Sequence, residues 1–134
     1  MIIIMDNKKK YMSAFKTQFY EFLSDLEIMV PDNVDIKVFI NFANTILKMN
    51  PKLLIVVWWW SIYKMYYDKI ESGDIDFFFN KDYTYDCRNL ADSKFVVDSI
   101  DRIKEPIKHA NPEEKKICIQ YIQNLSTLSN LYHI

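Results

Sequence analysis

The residues best suited to proton transfer or metal binding are few, because the 134-residue chain has two histidines and two cysteines. His109 and His133 stand in no HExxH or HxE motif. We expect His133 to fray near the end of the chain. We expect His109 to lie near a helix C-terminus, where an imidazolium interacts favourably with the helix dipole. Cys87 and Cys118 form no CxxC pair and are typical of buried thiols. The chain is therefore predicted not to be an enzyme and to use no cofactor or metal.

An aspartate-rich and aromatic segment spans about residues 74–90. Asp74 and Asp76 match the first two ligands of a calcium loop. The fifth, sixth and twelfth positions are Phe78, Phe79 and Tyr85, where a ligand, a glycine and a glutamate are needed. Base stacking on these rings would require nearby cations, and aspartates outnumber basic residues here. We predict an irregular, ordered connection that packs its rings and has room for one helical turn.

Composition excludes several classes of site. The chain has one glycine, whereas roughly nine are expected at average usage, so glycine-built phosphate loops and nucleophile elbows are excluded. The formal net charge of -1 argues against a general nucleic-acid binder. The longest apolar run, Leu53–Trp60, is too short for the roughly 20 residues that span a bilayer. We therefore expect a soluble intracellular protein without a membrane span.

The remaining pattern is helical and predicts an all-α fold, a compact bundle of about five helices. Residues 1–10 are predicted to be a flexible tail, and residues 11–134 a single helical domain. Predicted helices begin near Lys9, Asp32, Pro51, Ala91 and Asn111.

Local signals set the ends of these helices. Asn50 can cap a helix that starts with Pro51, and Asn111 can do the same before Pro112. Gly73 is placed where a helix ends on a left-handed residue. Pro106 is expected to kink or interrupt the fourth helix near residue 102, whose carbonyl loses its partner. The inward positions of that helix are predicted to be Val96, Ile100, Ile103 and Ile107.

The third predicted helix carries Trp58–Trp60, whose side chains fan across about 200°. One stripe is predicted to face the core, and a second apolar stripe lies beside it. Only a narrow strip of Ser61, Lys64 and Asp68 is expected to face water. The first stripe is Leu53, Val56, Trp60, Tyr63, Tyr67 and Ile70, and the second is Ile55, Trp59, Ile62 and Tyr66.

A helix that is apolar nearly all round is either the centre of a domain or partly covered by another molecule. The first alternative makes these rings ordinary core. The second makes some of them a partner surface, since Trp and Tyr dominate interface energetics. We expect more aromatic surface than four neighbouring helices can cover, and hence a protein partner or a homo-oligomer. The predicted partner-binding residues are Trp58, Trp59, Tyr66, Phe78 and Tyr83.

Seven short segments in a shared order resemble small uncharacterised helical proteins of nucleocytoplasmic large DNA viruses, the giant viruses. The segments are 19–26, 30–35, 48–52, 73–78 with 82–83, 100–104, 111–116 and 121–125. The resemblance implies a viral origin and no activity. Trp58–Trp60 and Pro106 are not part of the pattern, so the surface around them is expected to be particular to this chain.

Three hypotheses follow. The first is a non-catalytic interaction or structural protein, located in the virion or in the viral factory of the host cytoplasm. The alternative is a host-directed binding module with a groove for an amphipathic helix. The third, a nucleic-acid-associated factor, requires a basic stripe that is not visible along the chain. The run of Lys8, Lys9 and Lys10 is too short for a strong electrostatic anchor on its own.

Overall fold

The computed structural model describes residues 2–89 and 91–134, and describes the backbone alone at residues 2–5, 95 and 96. The chain is all-α, as predicted, with 83% of it helical and no strand in the described ranges. A π-helical turn, Trp59–Tyr63, joins the helix Pro51–Trp58 to the helix Lys64–Ser72, which is kinked at Tyr66, and the segment 51–72 is called the rod. The α-helices are α1 (Ile2–Met29), α2 (Val34–Met49), α3 (Pro51–Trp58), α4 (Lys64–Ser72), α5 (Ile75–Asn80), α6 (Ser93–Lys108) and α7 (Pro112–His133).

The predicted helix ends are confirmed by their hydrogen bonds. The Asn50 side chain accepts a bond from the backbone N–H of Leu53 at 3.3 Å, with Pro51 in the first helical position. Asn111 forms a complete capping box with Glu114. Gly73 ends the rod with φ of +73°, the left-handed conformation expected there. Local hydrogen bonds and backbone conformation therefore mark these boundaries as predicted.

The core lies where one face of α3 packs against α1, α2 and α7. α1 and α7 run antiparallel: Met29 lies beside Cys118, with 3.9 Å between their sulfur atoms, and Phe22 stacks on Tyr121 with 5.0 Å between ring centroids. This arrangement buries one stripe of each long helix. The buried apolar cluster is Phe15, Phe19, Leu23, Leu26, Ile36, Ile40, Ala43, Leu47, Ile55, Cys118 and Leu125.

Two sequence predictions are corrected at the helix ends. α1 begins at Ile2 rather than near Lys9, so residues 2–10, predicted to be a flexible tail, continue the helix. α6 is not interrupted at Pro106 or at residue 102, near which a kink or an interruption was predicted. The helix ends two residues later at Lys108, so the proline affects only the last turn, where few hydrogen bonds remain to be lost. The predicted inward position Val96 lies outside the described side chains.

The segment predicted to be irregular contains a short helix of its own. The Asp74 side chain accepts a bond from the N–H of Phe77 at 3.1 Å and caps α5. Turns follow over residues 84–89, and Leu90 lies outside the described residues. The aromatic rings of this segment pack against the rod, as expected, because Phe77 and Phe78 both contact Tyr66.

Candidate interaction surfaces

The face of the rod that points into the protein differs from the predicted one. Ile70, predicted to face the core, is buried at 3% exposure, but Ile55 of the second stripe is buried too, at 0%. Leu53, Trp60 and Tyr67, all predicted to face the core, are 47%, 57% and 53% exposed. An apolar helix has several equivalent stripes, so periodicity does not choose among them. The π-helical turn also breaks the regular spacing within the tryptophan run.

Trp58, predicted to contact a partner, is instead engaged within the chain. Its ring meets Phe15 and Phe19 edge-on, with centroid distances of 6.3 and 5.9 Å. Its indole N–H donates to the hydroxyl of Ser126 at 2.9 Å. Because Ser126 is buried, this bond satisfies both polar groups. Trp58 is therefore part of the core.

Trp59, the second predicted partner residue, is packed against the end of α7. Its indole N–H donates to the side-chain oxygen of Asn130 at 3.3 Å. Its ring stacks on His133, with centroids 4.2 Å apart, and the ammonium of Lys64 lies 4.5 Å from its centroid. His133 also contacts the carbonyl oxygen of Ser129 through Nδ1 at 2.7 Å. The prediction that His133 frays is therefore wrong, because packing on Trp59 holds it.

A polar row on α7, which sequence reasoning missed, holds the rod in place. Besides Ser126 and Asn130, it includes Gln123 and Ser129. The Gln123 amide donates to the carbonyl of Ile70 at 2.9 Å. The Ser129 hydroxyl donates to the carbonyl of Ile55 at 2.7 Å. The spacing of these residues by three or four positions was the available signal, since it places them on one helical face.

Tyr66, Phe78 and Tyr83, the other predicted partner residues, meet in one cluster. Tyr66 lies edge-on to Phe78, with 5.8 Å between centroids, and the Tyr83 hydroxyl donates to the carbonyl of Phe78 at 3.0 Å. The Tyr66 hydroxyl donates to Asp86, which also lies 3.5 Å from the ammonium of Lys81. These groups satisfy one another, so the cluster ties the 81–89 turn to the rod.

The ionisable groups near the rings are held in their neutral forms. Burial, followed by the charge of Asp86, raises the pKa of Tyr83 to about 12. Burial and the bond to Asp86 also raise the pKa of Tyr66. Burial raises the pKa of the Cys118 thiol to about 11 and also raises that of Cys87. Since the thiolate is the reactive form, neither free thiol is activated as a nucleophile.

Apolar side chains are uncovered on the rod and in a groove beside α2. On the rod, Val57, Trp60 and Tyr67 are each about half exposed and are called the rod face. Trp60 lies edge-on to Trp59, and the ammonium of Lys64 is 4.4 Å from its ring centroid. Trp60, which was predicted to be core, is thus the most exposed tryptophan.

The second apolar surface is a groove of about 480 Å³ between α2 and α6. Val38 and Phe42, on its α2 side, are 62% and 64% exposed. Its lining includes an ion pair between the guanidinium of Arg102 and Asp35, with Nε and Oδ1 3.5 Å apart. The other lining residues are Phe39, Ser99, Ile100 and Ile103.

In comparisons with known proteins, no family model matches the chain, and neither does any curated protein or solved structure. The helices of the described ranges include none that is both long and apolar enough to cross a bilayer. Within the same ranges, no three His, Cys, Asp or Glu side chains are grouped so as to hold a metal ion. The two apolar surfaces are the features that a functional proposal must explain.

Proposed function

We propose that this chain is a non-catalytic helical interaction protein that uses the rod face as its contact surface. The supporting observation is the exposure of Trp60, at 57%, on the rod that also carries the half-exposed Val57 and Tyr67. Clustered exposed apolar residues mark interaction sites, and Trp and Tyr are the residues that contribute most at interfaces. Since Trp58 and Trp59 already donate their N–H groups within the chain, Trp60 replaces them as the proposed anchor.

The size of this surface suits an anchor residue. An indole presents roughly 150–250 Å² when fully exposed, and burial contributes roughly 25 cal/mol per Å². Covering the exposed part of Trp60 would therefore contribute about 2–4 kcal/mol. The Lys64 ammonium over the ring provides a polar rim of the kind that surrounds such anchors. The partner is a protein, either a second copy of this chain or another viral or host protein.

The biological setting rests on the sequence resemblance. On that basis we propose that the protein belongs to a large DNA virus and acts in the virion or in the viral factory of the host cytoplasm. Recovery of the protein in stoichiometric amount from purified particles would support this setting. Absence from both particles and factories of infected cells would oppose it.

The experiment compares Trp60→Ala with Tyr85→Ala, which removes another exposed aromatic ring at 70% exposure. Self-association is measured by light scattering across protein concentration, and other partners by co-purification from infected cells with mass spectrometry. We expect Trp60→Ala to weaken association at least tenfold and Tyr85→Ala to leave it unchanged. A wild-type protein that stays monomeric and retains no partner would refute the proposal, as would equal effects of the two variants.

A second candidate function is a host-directed module that accepts an amphipathic helix in the α2–α6 groove. It is favoured by the exposure of Val38 and Phe42 beside an apolar groove of about 480 Å³. Selection from a library of displayed helical peptides tests it. We expect enriched sequences with apolar residues at helical spacing, and loss of their binding in Phe42→Ala. No enrichment over a library without helical periodicity would dismiss this candidate.

A further inference from the structure

Folding gathers lysines that are far apart in the sequence at one end of the bundle. Residues 6–16 and 48–52 together contain six lysines and one acid, Asp6. A crevice of about 380 Å³ is lined by Lys8, Lys9 and Lys16 of α1, and by Pro51 at the start of the rod. The N-terminal part of α1 therefore lies beside the corner between α2 and α3.

A second crevice continues along the same side of α1. It has a volume of about 320 Å³, and its lining includes Tyr20 of α1 and Lys48 of α2. Because Lys16 and Tyr20 are four residues apart on α1, the two crevices are neighbours. Glu27 is the one acid among the residues that line them.

These lysines are not neutralised by the protein. Lys8, Lys9, Lys16, Lys48 and Lys52 form no ion pair with any acid in the described part of the chain, whereas six lysines elsewhere do. The one other contact of this group is with a ring, since the Lys8 ammonium lies 4.8 Å from the Tyr132 centroid. An unneutralised group of this kind attracts anions.

The corner between α2 and α3 also presents apolar side chains. Met49 is 80% exposed and Leu53 47% exposed, and each directly follows an exposed lysine, Lys48 or Lys52. The corner is well ordered by hydrogen bonds. The N–H of Asn50 donates to the carbonyl of Ile46 at 2.7 Å, and its side chain caps α3.

We infer that this end of the protein docks on an anionic lipid bilayer. The surface, called the basic corner, consists of Lys8, Lys9, Lys16, Lys48 and Lys52 with Met49 and Leu53. Clusters of four to eight basic residues beside a membrane typically bind anionic lipids, and folding assembles five. The lysines contact lipid phosphates, while Met49 and Leu53 enter the interface between headgroups and acyl chains.

The same residues fit a nucleic acid less well. Binders of single strands combine cations with aromatic rings that stack on bases. The one ring in the lysine-lined crevice, Tyr132, carries the Lys8 ammonium over its ring and packs edge-on against His133. Met49 and Leu53 would gain no contact from a phosphate backbone. This inference is independent of the proposed function, because it does not use Trp60.

The test is co-sedimentation of the full chain with vesicles of phosphatidylserine and phosphatidylcholine, compared with vesicles of phosphatidylcholine alone. Binding is expected to the first and not to the second, and to weaken as salt is raised. The triple variant Lys16→Gln, Lys48→Gln, Lys52→Gln is expected to bind about 100-fold more weakly, at about fivefold for each lysine. The matched control, Lys37→Gln, Lys69→Gln, Lys94→Gln, has the same net charge and is expected to lose less than fivefold.

A second variant tests the apolar contribution. Met49→Ser, at an exposed position that folding does not require, is expected to weaken binding severalfold at every salt concentration. Absence of binding to phosphatidylserine vesicles would overturn the inference, as would equal losses in the two triple variants. Binding of a single-stranded oligonucleotide through the same lysines, without vesicle binding, would assign the basic corner to nucleic acid instead. Trp60→Ala should leave vesicle binding unchanged, so this result is read separately from the proposed function.

Discussion

The indole ring of Trp59 and the imidazole ring of His133 lie face to face, with centroids 4.2 Å apart and planes 4° apart. The same tryptophan donates its N–H to Asn130, one turn earlier on α7. His133 in turn contacts the carbonyl of Ser129. The last turn of α7 is therefore fixed to the π-helical turn of the rod. His133 has a structural role in this contact.

Replacing His133 by alanine is expected to lower the free energy of unfolding by about 0.5–1.5 kcal/mol, the usual contribution of an aromatic pair. The emission of Trp59 should also change, because its ring becomes exposed on one face. Urea unfolding followed by tryptophan fluorescence measures both effects. His109→Ala removes a histidine whose contact with Glu105 is exposed, and should change stability by less than about 0.5 kcal/mol. Equal effects of the two substitutions would show that the end of α7 frays after all.

Trp58→Phe is expected to cost about 1–3 kcal/mol, because it leaves the buried Ser126 hydroxyl without its donor. Trp60→Phe, at an exposed position, should cost less than about 0.5 kcal/mol. Combining Trp58→Phe with Ser126→Ala in a double-mutant cycle isolates the hydrogen bond, and the coupling should be favourable. Additive single effects would mean that the bond contributes nothing to stability.

Gly73→Ala is expected to destabilise the protein by about 1 kcal/mol, because its φ of +73° disfavours a residue with a Cβ. The added Cβ would lie 3.6 Å from the Gln123 amide nitrogen, an ordinary contact, so the penalty comes from the backbone. Gly73→Asn should cost less, since Asn tolerates the left-handed conformation. Thermal unfolding of both variants provides the comparison. A larger loss for Asn than for Ala would point to crowding against α7 instead.

Stability is expected to fall in alkaline solution. Burial and the charge of Asp86 raise the pKa of Tyr83 from 10.0 to about 12. Above pH 10 the unfolded chain releases this proton before the folded protein does, so the free energy of unfolding decreases as pH rises towards about 12. Denaturant unfolding at about pH 9 and pH 11 measures the slope. Tyr83→Phe should reduce the slope without abolishing it, because the raised pKa values of Tyr66 and Cys118 act in the same direction. Tyr85→Phe should leave the slope unchanged. An unchanged slope in Tyr83→Phe would mean that Tyr83 contributes nothing to it.

Much of the fold could be predicted because the relevant signals are local. Asn50, Gly73 and Asn111 end or begin helices through bonds to residues within one turn, and all three predictions are confirmed. The predicted core face of the rod was wrong at Leu53, Trp60 and Tyr67. Which stripe of an apolar helix is buried depends on which neighbouring helix packs against it. The local sequence of the rod does not specify that neighbour.

The candidate surfaces also combine features that local sequence predicts with features that depend on tertiary packing. Among the five predicted partner residues, Tyr66, Phe78 and Tyr83 do meet. Trp58 and Trp59 instead donate hydrogen bonds to side chains of α7. The polar residues of α7 that bind them were visible in the sequence only as a row at helical spacing. Their partners lie about 70 positions away, as between Trp58 and Ser126, and were not deducible.

The amino-acid sequence alone determined that the chain is all-α and where most of its helices begin and end, because capping and helical periodicity act between residues one or two turns apart. Tertiary packing decided which tryptophan is uncovered. It also decided that the lysines of α1 lie beside Pro51, at the corner between α2 and α3. These outcomes depend on how helices that are distant in sequence cross one another. When one face of a helix buries its apolar area, the charges and rings on the other face are exposed to solvent or to a partner.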